Sequence, residues 1–253
     1  MFVYSIYFSP TGGTKKVAAQ LLSAWPETTE VDLSLSGQDY SSYCFGKDDL
    51  CMIAVPAFEG RVPPPVLERL QQMTVHGSRA ILVGVYGNRA IDDTLLELKD
   101  HAEQVGFSVI AAISAVAQHS VLPMYGTGRP DDIDCLELQE FSVKLKALAE
   151  QEVCPPVTVP GNRPYIVIKG PEAHPQLDTS LCNKCGVCAE LCPVSAIPPD
   201  VPEQIDRTKC IRCLRCVTVC PTNARTIPQD AVQMASQRLA KLFAGRKPNT
   251  LYL

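Results

Sequence analysis

A repeated run of cysteines between residues 182 and 220 constrains this chain more than any other feature. Eight of the twelve cysteines in the 253-residue sequence fall there, in two copies of Cys-x-x-Cys-x-x-Cys-x-x-x-Cys-Pro that are 28 residues apart. Three thiolates at this spacing can surround one iron–sulfur cube, whereas the fourth cysteine, before proline, turns away and ligates the other cube. The pattern therefore predicts two cubes that exchange one ligand between the two copies.

The crossed arrangement gives each predicted cluster four cysteine ligands. For cluster I these are Cys182, Cys185, Cys188 and Cys220, and for cluster II they are Cys210, Cys213, Cys216 and Cys192. Zinc sites and disulfides are the alternatives for so many cysteines. Zinc sites usually arrange two pairs of ligands around one tetrahedral ion, and a disulfide framework is typical of a small secreted chain. Because this repeat has neither pattern, we prefer the two-cluster interpretation.

The repeat extends beyond the ligands, since Asp178 matches Asp206 and Ala196 matches Ala224 at the same offset. With this spacing, the region resembles the bacterial two-cluster ferredoxins. The resemblance implies a small α+β domain that holds two [4Fe-4S] clusters, and we assign residues 177–253 to it.

Composition limits the remaining possibilities. A hydrophobic content of 46% is sufficient for one domain of ordinary size and a smaller one. The longest apolar run, residues 109–117, is too short to cross a bilayer, so we expect no membrane insertion. The N-terminus has no basic region of the kind that begins a signal peptide. Twelve cysteines without an export signal favour a reducing, cytoplasmic compartment.

The net charge of −4 is unevenly distributed along the chain. Residues 1–150 carry 11 basic and 19 acidic side chains, whereas residues 151–253 carry 12 basic and 8 acidic ones. Neither part is basic enough to indicate nucleic-acid binding. The asymmetry fits two domains that attract each other or a charged partner protein.

A second motif lies at the N-terminus, where an apolar strand at residues 2–8 is followed by a Gly/Thr-rich turn and a helix at residues 15–25. Such a turn directs backbone N–H groups and hydroxyls towards a phosphate at the positive end of the helix dipole. The candidate phosphate-binding residues are Ser9, Thr11, Gly12, Gly13 and Thr14. The sequence fits neither the ATP/GTP loop nor the dinucleotide fingerprint. An ordinary structural turn is the remaining alternative.

Strands and helices alternate through the first 150 residues. Strands are predicted at residues 30–33, 50–55, 80–86 and 109–117, and helices at 65–73, 92–105 and 131–151. This order predicts an α/β fold with a doubly wound, parallel, five-stranded sheet and a ligand at the carboxyl ends of the strands.

The motif Ser-x-Thr-Gly-x-Thr at residues 9–14 resembles the FMN-phosphate loop of flavodoxins. The resemblance implies a flavodoxin-like FMN-binding domain over residues 1–151. It also implies that two further loops lie beside the flavin ring. The flavin-contacting residues would be Ala57, Phe58, Glu59, Gly60, Tyr86, Gly87 and Asn88.

Six prolines between residues 152 and 176 predict a stiff linker between the two domains. Near the C-terminus, Asp230 is predicted to cap a helix whose apolar stripe, residues 232–243, packs on the cluster domain.

The two domains together resemble fused flavodoxin–ferredoxin proteins over residues 1–150 and 176–226. That resemblance implies an electron-transfer protein that passes electrons between FMN, two [4Fe-4S] clusters and partner redox proteins. The alternative is an oxidoreductase that reduces a small substrate such as a quinone or a nitro compound. No catalytic acid–base pair is predicted in the flavin loops, so the carrier is favoured.

Five basic residues lie near the second cysteine motif, namely Arg207, Lys209, Arg212, Arg215 and Arg225. Cations stabilise the more negative, reduced form of a cluster. Their position in the sequence therefore predicts that cluster II has the higher reduction potential.

Overall fold

The protein is described here from a computed structural model that covers residues 2–168 and 173–253. The N-terminal part alternates strands and helices as the sequence predicts. Its strands are β1 (Val3–Tyr7), β2 (Thr29–Asp32), β3 (Cys44–Phe45), β4 (Leu50–Pro56), β5 (Thr74–Val75), β6 (Arg79–Tyr86) and β7 (Ser108–Val116). Its helices are α1 (Gly13–Leu21), α2 (Pro64–Leu70), α3 (Thr94–Val105) and α4 (Asp132–Ala149).

The C-terminal part has shorter elements. They are β8 (Gln176–Leu177), α5 (Val187–Glu190), α6 (Arg215–Thr218), β9 (Arg225–Thr226), α7 (Gln229–Phe243) and β10 (Thr250–Tyr252). No helix in the described ranges combines the length and the apolar character needed to cross a membrane.

The main sheet has the order β10-β7-β6-β4-β1-β2. Its five N-terminal strands are all parallel and, numbered by themselves, follow the order 2-1-3-4-5 of a flavodoxin-like fold. The predicted fold class is therefore confirmed. The reversal of strand order beside β1 creates a crevice at the carboxyl ends of the strands, where such folds bind their ligands.

Helices cover both faces of this sheet. On one face, α1 and α4 pack over a core that includes Val17, Met52 and Leu145. On the other face, α2 and α3 pack over a second core that includes Phe8 and Leu98. Burial on both faces explains why β4 and β6 are almost continuously apolar.

The sheet has one strand more than predicted. The C-terminal strand β10 pairs antiparallel with β7, with Thr250 opposite Ser114 and Tyr252 opposite Ala112. The prediction of five strands, and the assignment of all residues up to 253 to the cluster domain, are corrected by this pairing. Its physical reason is that β7 would otherwise be an edge strand with a row of unpaired backbone groups.

The predicted linker is packed onto the first domain. The Asp93 carboxylate accepts backbone hydrogen bonds from Asn162 and Ile166, and Val157 is buried in the second core. Tyr165 lies under the Arg61 guanidinium, 4.9 Å from the ring centre. Residues 169–172 of the predicted linker lie outside the described residues. Residues 152–168 therefore form a segment fixed along α3 and its neighbouring loop.

The cysteine-rich region has an internal twofold repeat. Asp178 N–H donates to the Ala224 carbonyl, and Asp206 N–H donates to the Ala196 carbonyl, both at 2.8 Å. The same 28-residue offset relates α5 to α6. The aspartate N–H of each copy thus donates a hydrogen bond to the alanine carbonyl of the other copy, and the two bonds hold the copies together.

Helix α7 differs from the prediction in two ways. The helix begins at Gln229 after Pro228, so Asp230 lies in the first turn and is not the cap. Its end packs on the first domain, where Phe243 stacks on Tyr125 with ring centres 4.5 Å apart. Phe243 is the buried residue of the helix, while Met234 and Leu242 are exposed. The apolar stripe therefore does not build a core with the cluster domain, because its one deeply buried ring contacts the flavodoxin-like domain.

Candidate functional site

Two cavities in the cysteine-rich region collect the predicted ligands. Cavity I is lined by Cys182, Cys185, Cys188 and Cys220. Cavity II is lined by Cys192, Cys210, Cys213 and Cys216. Each cavity thus combines three cysteines of one copy with the fourth cysteine of the other. This is the crossed grouping that the sequence predicts, and all twelve cysteines are free of disulfides.

The cysteine loops are shaped by backbone conformations that recur at the 28-residue offset. Lys184 and Arg212 have positive φ values of 56° and 54°, and Ser195 and Asn223 have values of 48° and 53°. Lys184 and Arg212 turn the chain between the first two cysteines of each motif, whereas Ser195 and Asn223 turn it after the fourth cysteine. Backbone N–H groups also donate to sulfur, from Ala196 to Cys192 Sγ at 3.2 Å. Such hydrogen bonds stabilise thiolates around a cluster.

The thiols of cavity II are strongly affected by burial. Burial raises the pKa of Cys213 and of Cys216 to about 12. Without metal, both would be neutral thiols at pH 7, and metal ligation must displace their protons. Within the described ranges, no three His, Cys, Asp or Glu side chains converge on a point suited to a single metal ion. A cube holds its ligands farther apart than a tetrahedral zinc ion, which brings sulfurs within about 4 Å of each other.

The basic residues near the second motif are divided between the two cavities. Arg225 lines cavity I, whereas Arg212 lines cavity II and also forms an ion pair with Glu59 of the first domain at 3.1 Å. Lys209 is exposed and lies 3.7 Å from the Asp206 carboxylate. Arg215 does line cavity II. Arg225 is therefore corrected to cavity I, because the chain returns through β9, whereas Arg212 and Arg215 lie where the sequence predicts them; the higher potential of cluster II stays a prediction.

The Gly/Thr-rich turn lies between β1 and α1, at the carboxyl edge of the sheet. Gly12 has φ +89°, and a side chain at this position would meet no atom within 4 Å, so the turn borders open space. Thr14 is buried at the start of α1, and Ser9 Oγ accepts the Lys15 N–H at 2.9 Å. Thr11 Oγ1 lies 3.0 Å from Ser120 Oγ. Hydroxyls and first-turn N–H groups thus border this open space, and groups of this kind can donate hydrogen bonds to an anion.

The loop after β4 is a tight hairpin. Phe58 and Arg61 exchange both backbone hydrogen bonds, and Glu59 and Gly60 between them have φ values of 54° and 87°. Positive φ at both central residues is the pattern of a type I′ turn. Phe58 is half-buried and packs edge-on against Phe8, with ring centres 6.3 Å apart. Ala57 N–H donates to the Val85 carbonyl, which joins this loop to β6.

The loop after β6 lies beneath the C-terminal tail, which we define as residues 243–249. Asn88 is buried, and its side-chain amide donates to the carbonyls of Phe243 and Gly245. Tyr86 Oη donates to the Pro248 carbonyl at 3.0 Å. A side chain at Gly87 would come within 2.6 Å of His119. Three of the predicted flavin-ring residues therefore lie against other parts of the protein.

Cavity II is the one next to the first domain. The buried guanidinium of Arg69 in α2 donates to the Pro193 carbonyl, beside Cys192. Ile211 packs against the second core of the flavodoxin-like domain. In cavity I, by contrast, Cys185 is exposed to solvent. The structure thus places cavity II towards the flavodoxin-like domain and cavity I towards the surface.

Sequence reasoning missed the partners that join the two regions. Arg69, His119 and the C-terminal tail carry no motif, since each acts through contacts far away in the sequence. The burial of Arg225 had a usable signal, because the repeat aligns it with the apolar Ile197.

Comparison with known proteins agrees with the division of the chain into an N-terminal α/β part and a C-terminal cysteine-rich part. The family described as "4Fe-4S binding domain" (Fer4) matches residues 175–197 and 203–226. No curated protein matches the chain.

Similar solved structures include flavodoxins. A flavodoxin from the domain Archaea is 12% identical, with a TM-score of 0.41, and the match covers 60% of this chain and 100% of that one. Oxidised flavodoxin 2 from Bacillus cereus is 12% identical, with a TM-score of 0.43 and coverage of 58% and 99%. Fusobacterium nucleatum flavodoxin bound to flavin mononucleotide is 12% identical, with a TM-score of 0.41 and coverage of 58% and 98%. The assignment to a flavodoxin-like fold rests on the strand order and not on these scores.

The chain therefore joins a flavodoxin-like α/β domain to a 4Fe-4S ferredoxin domain, which confirms the resemblance to a flavodoxin–ferredoxin fusion. These parts indicate a capacity for redox electron transfer.

Proposed function

We propose that the protein is an electron carrier that binds FMN in its first domain and two [4Fe-4S] clusters in its second. It would pass electrons between these cofactors and on to partner redox proteins. The observation that carries the proposal is the contact between the second cysteine motif and the loop after β4. Arg212 Nη2 lies 3.1 Å from Glu59 Oε1, so the second cysteine motif touches the loop that we propose to bind the flavin ring.

The phosphate end of the proposed FMN site is formed by Ser9, Thr11 and Thr14 with the N–H groups around Gly12 and Gly13. The hairpin at Glu59 and Gly60 would bound one side of the ring, and the loop at residues 86–88 would bound the other. When bound, FMN supplies chemistry that can exchange two electrons in single steps. The residues around it would orient the ring and exclude water from it.

The placement of the two cavities supports an ordered path. Arg69 and Ile211 hold cavity II against the flavodoxin-like domain, while Cys185 of cavity I faces solvent. Electrons would therefore pass between FMN and cluster II, then to cluster I, and from there to a partner protein.

The C-terminal tail favours a carrier over an oxidoreductase for small substrates. It buries Asn88 and engages Tyr86, so one edge of the proposed ring site is closed by protein. A carrier needs only the path through cluster II, whereas a substrate needs open access to the ring.

The first test is cofactor content after anaerobic purification. We expect about eight iron and eight sulfide per chain, because each cube holds about four of each, together with about one FMN. A content of about four iron, or zinc in its place, would contradict the two-cluster proposal.

The second test measures transfer within one molecule. Photoreduction of the flavin should be followed by bleaching of the iron–sulfur absorption at a rate that does not change on dilution. A rate proportional to protein concentration would show transfer between molecules and would contradict the path. Removal of the contact with Glu59→Gln should slow the internal step, whereas Glu27→Gln, an exposed carboxylate on the same domain, should leave it unchanged.

A further inference from the structure

Arg225 is among the most deeply buried side chains of the protein. It is 1% exposed, and its Nη2 group donates to the Pro202 carbonyl. Its Nε and Nη1 atoms are buried and have no hydrogen-bond partner in the described part of the chain. A guanidinium in this state is costly unless an anion compensates for it. The missing partner is therefore expected to be negatively charged.

The internal repeat shows which position Arg225 occupies. It lies 28 residues after Ile197, which is 3% exposed and lines cavity II. Arg225 lines cavity I, together with Cys182 and Cys220. At this repeat position, the twofold relation thus places an aliphatic side chain in cavity II and a buried cation in cavity I, while Arg212 and Arg215 line cavity II from other positions.

The anion is supplied by the proposed function, on which this inference rests. A [4Fe-4S] cluster with four thiolate ligands is negatively charged and becomes more negative when it accepts an electron. A buried cation is weakly screened by solvent and salt, so it stabilises the reduced form more than an exposed one does.

We propose that Arg225 raises the reduction potential of cluster I by placing its buried guanidinium against that cluster. The residue does not ligate iron and acts through charge and hydrogen bonding.

A raised potential at cluster I would favour transfer towards it. One electron would leave cluster II, which is oxidised, and enter cluster I, which is reduced, and no bond or proton would change place. Since cavity I faces solvent at Cys185, the electron rests at the site from which a partner redox protein can accept it.

The experiment compares variants of the full chain with both clusters present. Arg225→Gln removes the charge and keeps a polar side chain, whereas Arg225→Lys keeps the charge. Each protein is analysed for iron and sulfide and then titrated electrochemically with EPR detection. A Cys220→Ser protein, which lacks one ligand of cluster I, identifies the signal of that cluster.

We expect Arg225→Gln to disfavour reduction of cluster I at least tenfold, which is about 59 mV for one electron. The reduction potential of cluster II should shift less than that of cluster I. In Arg225→Lys, the potential of cluster I should fall by less than half of its fall in Arg225→Gln. Arg215→Gln is the matched control, since it removes the same charge from a partly exposed side chain that lines cavity II. That control should leave the potential of cluster I unchanged.

Two results would overturn the inference. One is an unchanged potential of cluster I in an Arg225→Gln protein with full iron content. The other is loss of iron from both Arg225→Gln and Arg225→Lys, which would make the residue necessary for assembly and not for the potential. A wild-type protein with a single cluster would instead contradict the proposed function, and iron analysis reveals that before any titration.

Discussion

Gly60 shows how a single residue fixes the loop beside the proposed flavin ring. Its φ is +87°, and a Cβ atom here would lie 2.5 Å from Asp92 Oδ2 and 2.7 Å from Asp92 Cβ. Asp92 cannot retreat freely, because it is paired with Arg89. The hairpin after β4 therefore depends on glycine for both its conformation and its space.

Gly60→Ala should lower the free energy of unfolding by about 1–3 kcal/mol, since it adds a strained backbone and a steric clash. FMN affinity should fall as well, because the loop must shift. Urea unfolding and flavin titration measure the two effects. Gly37→Ala is the control, as Gly37 is exposed and a Cβ atom there meets nothing within 4 Å. Equal unfolding free energies for the two variants would show that the clash is relieved without cost.

Cys192 tests the crossed ligation at the level of one sulfur. It belongs to the first motif but lies in cavity II with Cys210 and Cys213. Cys192→Ser should therefore damage cluster II and leave the EPR signal of cluster I. The reciprocal variant, Cys220→Ser, should do the opposite. Loss of cluster I alone in Cys192→Ser would show that the ligands are not exchanged between the copies.

At the scale of elements, the C-terminal tail is fixed by polar contacts with the first domain. Arg246 pairs with Asp131, and buried Asn249 accepts a hydrogen bond from Val116 N–H at 2.9 Å. Asn249 also donates to the Asp134 carboxylate, which is paired with buried Arg129. These contacts lead the chain into β10 and hold the tail over the loop after β6.

His119 links this docking to pH. Its Nδ1 accepts hydrogen bonds from Val121 and Leu122 N–H, and its ring contacts Phe243. Burial, with a smaller effect of the Arg89 charge, lowers the pKa of His119 to about 4. Since the unfolded value is about 6.5, the unfolded state binds more protons between these pH values. The contribution of neutral His119 to the stability of the folded state is therefore complete above pH 6.5 and is lost as the pH falls towards 4.

We expect the tail amides at residues 244–249 to lose hydrogen-exchange protection between pH 6.5 and 4.5, by roughly 2 kcal/mol after correction for intrinsic exchange rates. His119→Gln keeps an acceptor for the two N–H groups and cannot titrate. In this variant, the exchange protection of the tail amides should therefore be nearly constant over the same pH range. The same slope in both proteins would exclude His119 as the group responsible.

For the whole molecule, the two domains differ in what stabilises them. The first has two extensive apolar cores on the faces of its sheet. The second has a small core of Ala189, Ile197 and Cys216. So small an apolar core contributes little stability alone, and metal binding would supply the remainder.

Removal of iron by a chelator should therefore unfold the cluster domain and leave the first domain intact. Trp25 is the single tryptophan and is 6% exposed in the first core, so its fluorescence reports on that domain. We expect unchanged Trp25 emission, with loss of exchange protection at residues 187–190 and 215–218. A red-shifted Trp25 emission would show that the two domains unfold together.

The sequence by itself determined the fold class and the grouping of candidate ligands. Three cysteines in seven residues can surround only a nearby point, so their geometry is local, and the proline after the fourth is a local signal too. The alternation of buried strands with amphipathic helices is likewise written in short windows, and it predicted the parallel sheet. The Gly/Thr-rich turn was recognised for the same reason.

Only the tertiary structure decided what lies between these parts. The pairing of β10 with β7, the tail over Asn88 and the contact of Arg69 with Pro193 join residues more than 100 positions apart. The side of the cluster domain on which Arg225 lies was also decided there. Such contacts depend on how whole domains pack, since a three-residue strand or a single arginine has no periodicity from which its partner can be predicted.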